Sequence, residues 1–570
     1  MFSGIIKDDQ KLKRYICVKI TIWNMIVIRK TLSERLRENK YNVFIVLLLI
    51  FDFILRCQFL SSNSIDLDEP FSLFYSQMGV RDIVRNLISG NNPPLYEIML
   101  HFWIKLTGLS PFAVRFPSLV FSVATIWVVY RIGGQFINKR TGVLSALLLS
   151  FSVTHVYFSH EARVYSLFIF LTALSFLLFF HLIRKKVSVR ILVFLTVTYI
   201  LLAYSHYFGL LIIAFQLFAI LIIKPVDPKA RRKYFLAFTA FLISYIPFIS
   251  IVVSRFLDSA AHGTWIARKS DISDLFYIFK NYSNDDRYCM LFILIIVWGG
   301  VWNFFKNNLK KELLKSIFSF LLIPLFFFIS FSVYFDLPFF WRFVSFKNAA
   351  AYFAAIILIL FIVELVRTRR KADVIAIVVA WFVIPYALLF LISYFIPVFL
   401  NRYLVFVLPA FFILIAVSVD KLFSDKQSFS LVSFALLMFM LGTFTANPHN
   451  TRYSDKIASD VKSEAGPGTK IIICPRDYYL AFSYYYCMEC FKDYDNIVKR
   501  LEDENVFLLN DTNSIGAIVD SSDRAIFVDA HSEFTFPGNG IAEWFEKRYS
   551  DKKTIGYPDS SKVIVFSEAR

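Results

Sequence analysis

A chain of 570 residues that is 57% hydrophobic, carries 66 Phe and holds only 18% charged residues cannot hide its apolar surface in water-soluble cores, and the same composition excludes disorder. A polytopic membrane protein fits, because the apolar residues come in runs of about 20. The net charge of +18 raises nucleic acid as a partner, but the basic residues lie where a membrane protein puts them, and six cysteines are too few for a disulfide scaffold.

The segment 1–42 is basic and reads as cytoplasmic. Its stretch 18–28 is too short to span a bilayer and lacks a small-residue cleavage site, and Met25 is a second candidate start. Thirteen spans are expected near 43–60, 112–132, 141–159, 164–183, 190–205, 207–223, 234–254, 288–304, 316–335, 348–366, 374–396, 402–419 and 429–446. Alternate connections are strongly basic, as in Arg184, Lys185, Lys186 and Arg190, or Arg367, Arg369, Arg370 and Lys371. The positive-inside rule makes those connections cytoplasmic, which accounts for the surplus charge without nucleic acid. A multi-pass protein of the plasma or inner membrane follows, with its N-terminus inside and its C-terminus outside.

Two outer loops, 61–111 and 255–287, are long. In the first, 70–78 and 94–106 suit short helices with Pro near the N-terminal turn. Their aromatic residues Phe71, Phe74, Tyr75, Tyr96, Phe102 and Trp103 suit the lipid–water boundary. From 447 to 570 the chain changes character. Apolar runs at 470–474, 525–528 and 562–566 read as buried strands, with 477–487, 494–504 and 540–549 as helices. The expected architecture is an α-helical polytopic membrane protein carrying a small extracytoplasmic α/β domain. Cys487 and Cys490 have CxxC spacing without a second pair, so a disulfide with Cys474 or an unpaired thiol is favoured over a metal. No HxxxH or HExxH spacing supports zinc. Gly538-Asn539-Gly540 reads as a turn, since no strand-to-helix context surrounds it.

The spans are nearly free of charge, apart from Asp52 and Arg56, four residues apart and suited to pair. A transporter or flippase of lipid-linked glycans, the alternative reading, would place ionisable groups near the midplane. Here they crowd at the outer ends, which favours a reaction at the outer surface. A non-catalytic scaffold is a third class. Three features stand out. Asp66-Leu67-Asp68-Glu69-Pro70 offers adjacent carboxylates, either a base aimed by the following helix or a helix cap with Asp66 or Asp68 capping and Glu69 complementing the dipole. Asn91-Asn92-Pro93-Pro94-Leu95-Tyr96 is a rigid turn opening a helix, followed by Glu97 and His101. His160-Glu161-Ala162-Arg163-Val164-Tyr165 sets Arg163 at an outer turn, where its fork suits a phosphate or a salt bridge with Glu161. Arg115, Arg342, Lys347 and Arg402 also sit at outer span ends, against the sidedness bias. They suit an anionic head group or simple snorkelling.

In this order the three features resemble the GT-C superfamily of membrane glycosyltransferases. The nearest group is family 39: protein O-mannosyltransferases, bacterial aminoarabinose transferases and relatives of the Rhizobium core-sugar-transferase type. The resemblance is strongest over 43–230, within a transferase domain of 43–446. It implies a GT-C fold of about 13 transmembrane helices and a polyprenyl-phosphate-linked sugar as donor. The acceptor would be a hydroxyl on a lipid, glycan or protein outside the cytoplasm, reached with inversion. By motif, Asp68 would be the catalytic carboxylate and Glu69 its orienting neighbour. Arg163 would face the donor phosphate, and Pro93, Pro94 and Tyr96 would shape the site floor, with Glu161 and Tyr165 flanking Arg163. Asn92 stands where many relatives have His or Lys. No metal or other cofactor is called for.

Overall fold

The computed structural model describes residues 40–88, 92–185, 188–223, 225–262, 271–305, 373–449, 451–519 and 524–569. The chain divides into two compact units, 1–52 and 53–570. A helix runs over 40–57 (α1), so the described part of the first unit is helical; the second unit holds every later element. The expected spans 316–335 and 348–366, with Arg342 and Lys347, lie outside the described residues, as does 1–39 with Met25.

After α1 come α2 (Glu69–Gln77), α3 (Val80–Ile88), α4 (Leu95–Thr107), α5 (Pro111–Phe136), α6 (Lys139–Ser150), α7 (Val153–Ser159) and α8 (Tyr165–Arg184). Among the described residues five helices are long and apolar enough to cross a membrane: α5, α8, Ala230–Ser259, Val374–Ile392 and Asn401–Leu422. Their environments differ. Asn401–Leu422 is 89% buried in the bundle, whereas Ala230–Ser259 is 22% buried and turns Leu236, Ile243, Ile246 and Phe256 outward. Exposed apolar residues in such number fit lipid as the surrounding solvent, and the chain is a membrane protein. α5 and α6 approach closely at paired glycines: a Cβ on Gly133 would stand 2.6 Å from the Gly142 Cα.

Two expectations about the helices need correction. The span 141–159 is not one helix: α6 and α7 meet at a 63° bend, and the Ser152 hydroxyl caps α7 by accepting from the His155 N–H. The second outer loop is largely helical, since one helix extends to His262 and another fills Ile272–Tyr282.

Beyond the last apolar helix (Lys426–Gly442), a helix at Ser454–Glu464 leads into a five-stranded sheet. Its strands are β1 (Lys470–Cys474), β2 (Val506–Leu508), β3 (Arg524–Asp529), β4 (Tyr549–Gly556) and β5 (Lys562–Ala569), in the order β2-β1-β3-β5-β4. β2, β1 and β3 run parallel; β5 is antiparallel to β3, and β4 to β5. Ile472, Phe527, Phe545 and Phe566 fill its core. The three strands read from apolar runs are present, as is the small α/β domain. β2 is too short for a periodic signal, and the polar β4, exposed over residues 550–554, has none. Cys487 is joined to Cys490, not to Cys474, which keeps a buried free thiol.

Candidate active site

Of the two readings of the Asp66–Pro70 segment, the structure does not form the cap. Asp68 stands at the N-cap position of α2, yet its side chain makes no capping bond. Asp66 Oδ1 instead accepts from the Leu67 N–H at 2.7 Å. Leu67 between them takes a left-handed backbone, φ 54°, although 61% exposed. Asp68 turns to Arg402, whose Nη1 donates to its Oδ2 at 2.5 Å. Both are partly open, at 37% and 29% side-chain exposure.

Asp68 borders a cavity of about 400 Å³. From α2 it is lined by Phe71 and Tyr75, from α3 by Asn86 and Leu87, and from the turn and start of α4 by Asn92 and Glu97. Arg163 and Tyr165 close it at the head of α8, Arg402 and Tyr403 at the head of the buried helix Asn401–Leu422, and Asp477 from the C-terminal domain. Arg163 Nη1 donates to the Ser72 Oγ at 2.7 Å, while its buried Nε has no hydrogen-bond partner among the described residues. Burial alone would favour loss of its proton, but its acidic surroundings, the Asp68 carboxylate above all, raise its pKa instead. Two guanidinium groups thus face one concave space beside a carboxylate. That arrangement suits an anionic, phosphate-bearing group beside a carboxylate.

Behind this cavity lies a second, sealed cluster. Glu69 is fully buried and accepts from Arg115 Nε (2.8 Å) and Nη2 (2.7 Å), from Arg452 Nη1 (2.7 Å) and from the Ala162 N–H (2.7 Å). Burial pushes the Glu69 pKa up, but the two arginines prevail and hold it below the usual carboxylate range. Arg115, also fully buried, spends its remaining N–H groups on the carbonyls of Leu60, Asn63 and Ser64. Arg452 reaches on to Glu161 at 2.7 Å. Burial keeps the Glu161 pKa raised despite that contact. Around this knot the first outer loop is bound to the C-terminal residues: Asn63 to Asn447, Ser64 to Asp455, and the Ile65 N–H to the Tyr485 hydroxyl at 2.6 Å.

The structure therefore sorts the expected residues. Asp68, Arg163, Tyr165 and Arg402 meet at the cavity. Glu69 and Arg115 do not: they are buried partners of one another, and Arg115 faces no lipid head group. Glu161 pairs with Arg452 and not with Arg163. Pro93, Pro94 and Tyr96 open α4 but do not line the cavity; Pro94 stands at the N-cap position and the Tyr96 hydroxyl lies 3.0 Å from Ser118 Oγ. Their neighbours Asn92 and Glu97 form that wall. Arg342 lies outside the described residues. His155 and His160 are taken up in packing: His155 Nδ1 lies 3.2 Å from Arg56 Nη2, and His160 Nε2 3.0 Å from the Arg56 carbonyl. Sequence reading missed Tyr403, Asp477 and Arg452. Only Arg452 carried a signal, as a cation just beyond the last span.

Fold and site together are those of a membrane protein with a charged cavity at the heads of its helices. Residues 91–251 match the family described as dolichyl-phosphate-mannose-protein mannosyltransferase. The match bears out the resemblance to GT-C membrane glycosyltransferases. It includes Asn92, Glu97, Arg163 and Tyr165 and begins after Asp68. No curated protein matches the chain. Among solved structures it is similar to ArnT from Cupriavidus metallidurans bound to undecaprenyl phosphate, at 11% identity over 92% of this chain and 98% of that one, with a TM-score of 0.44. It is also similar to the oligosaccharyltransferase AglB from Archaeoglobus fulgidus in complex with an inhibitory peptide and a dolichol-phosphate, at 12% identity over 91% and 74% of the two chains, with a TM-score of 0.45.

Proposed function

We propose that this membrane glycosyltransferase moves a sugar from a polyprenyl-phosphate carrier to a hydroxyl of a lipid, glycan or protein acceptor at the extracytoplasmic surface, by a single inverting displacement. The observation that carries this is the meeting of Asp68, Arg163 and Arg402, from three distant segments, on one cavity. Asp68 takes the proton of the acceptor hydroxyl as its oxygen bonds to the anomeric carbon. The bond from that carbon to the phosphate oxygen breaks, and its electron pair leaves with the phosphate. Arg163 and Arg402 stabilise the charge gathering there. The two guanidinium groups supply the cationic charge, so this reading needs no metal. Pro93, Pro94 and Tyr96 fix the start of α4, and Glu69 holds the loop that carries the base.

Asp68→Asn tests the reading, because it removes charge and basicity at nearly constant size. Transfer by the purified variant should fall by at least ~10²-fold, in line with the loss of a general base, at unchanged thermal stability. Near-normal turnover would overturn it. The sidedness has its own check: a cysteine placed at exposed Glu502 should react with an impermeant thiol reagent from outside intact cells.

A further inference from the structure

We propose that Glu97 reads a hydroxyl of the donor's sugar through its second carboxyl oxygen. The inference rests on the cavity being the site of the lipid-linked sugar. α4 carries Glu97 on the cavity wall, with only 3% of the residue exposed. Its Oε1 accepts from the Ser72 Oγ at 2.8 Å, and that Oγ accepts from Arg163 Nη1 at 2.7 Å. The chain of bonds therefore runs one way, from guanidinium to hydroxyl to carboxyl, and it ends at Oε1. Oε2 is buried and has no hydrogen-bond partner among the described residues. A buried carboxyl oxygen left in that state is costly, and on the wall of a binding cavity the ligand is the group that satisfies it.

Chemistry narrows what that ligand group is. Burial raises the Glu97 pKa, against the opposing charge of Arg163, and favours the protonated form. A protonated carboxyl offers one donor and one acceptor at its free end, the same pair that a sugar hydroxyl offers in return. A phosphate offers acceptors alone and already has Arg163 and Arg402 on this cavity. The unpartnered oxygen therefore suits a sugar hydroxyl better than a further phosphate contact.

The test uses the full chain in lipid nanodiscs, with polyprenyl phosphate and polyprenyl-phosphate mannose as probes. Glu97→Leu should weaken the sugar-bearing lipid by about tenfold or more, the scale of one buried hydrogen-bonding group, while sparing the bare phosphate. Glu97→Gln keeps an acceptor toward Ser72 and a donor toward the cavity, and should recover most of that loss. Should Glu97→Leu fail to fold, the Gln variant and the comparison of the two lipids still decide. A Gln variant as impaired as Leu would overturn the proposal, because a carboxylate would then be required. So would equal weakening of both lipids, which would reduce Glu97 to a support for Arg163, or a wild-type chain that binds both lipids equally. Binding of neither lipid to the wild type is a separate result: it would overturn the polyprenyl-phosphate reading itself, and this inference with it.

Discussion

Asp68 and Glu69 are sequence neighbours with opposite surroundings. Asp68 sits at an open cavity with one arginine, and both partners are partly exposed. Glu69 lies in a sealed knot with Arg115 and Arg452, at 0% side-chain exposure for the carboxylate and 0% and 4% for the arginines. The difference lies in whether the partner can be exchanged. A carboxylate that must take a proton and give it up needs a partner that a substrate can displace. A carboxylate that ties a loop to a helix head and to the C-terminal domain needs partners that never leave. One acidic pair thus divides into a chemical half and a structural half.

The comparison breaks most sharply at Glu69. Removing one member of a buried ion-pair network leaves uncompensated charge, which typically costs ~3–5 kcal/mol. Glu69→Ala and Arg452→Leu should therefore lower thermal stability strongly, while Asp68→Asn should not. A Glu69 variant of full stability that had lost transfer would move this residue into the chemistry. Acidity probes the same knot. The folded chain holds Glu69 below its unfolded-state pKa, so its stabilisation is complete above the unfolded carboxylate range near ~4.3. That stabilisation drains away as pH falls through the lower, folded value. Glu69→Gln should flatten the acid limb of a stability-versus-pH curve, and an unchanged limb would assign acid sensitivity elsewhere.

Much of the fold could be read in the chain. Apolar runs locate the helices because a bilayer demands about 20 residues per crossing, and buried parallel strands write themselves as continuous Ile and Val. Asp68 and Arg163 were legible from motif and position. What could not be read was partnership across sequence distance. Glu161 and Arg163 lie two apart and suit a pair, yet Glu161 belongs to Arg452 and Arg163 to Ser72. Arg115 at an outer helix end has the signature of a lipid-facing cation; only the tertiary fold shows it buried against Glu69. Asp477 carries no local pattern, because the C-terminal domain alone brings it to the cavity.

A smaller effect sharpens the open half. Arg163 presents a fork with one arm bound to Ser72 and a buried Nε unfilled. Arg163→Lys keeps the charge and loses the fork, and should weaken donor binding by about tenfold, roughly one charge-assisted hydrogen bond. Full donor affinity in the Lys variant would leave a point charge as its whole contribution.

The smallest effect falls on the residue between the acids. Leu67 holds a left-handed backbone, φ 54°, a conformation that costs a branched, non-glycine residue roughly 1–2 kcal/mol. Its side chain is 61% exposed, so little packing is lost on truncation. Leu67→Gly removes the strain but adds unfolded-state freedom worth about 0.4–1 kcal/mol, leaving a net gain between about zero and about 1.6 kcal/mol. If the strained turn serves to hold Asp68 toward the cavity while Glu69 stays in the knot, the same variant should lose transfer as it gains stability. Paired measurements of melting temperature and turnover separate the outcomes. Greater stability with unchanged turnover would mean that Asp68 is placed by Arg402 and α2 alone, and that the turn has no part in dividing the two carboxylates.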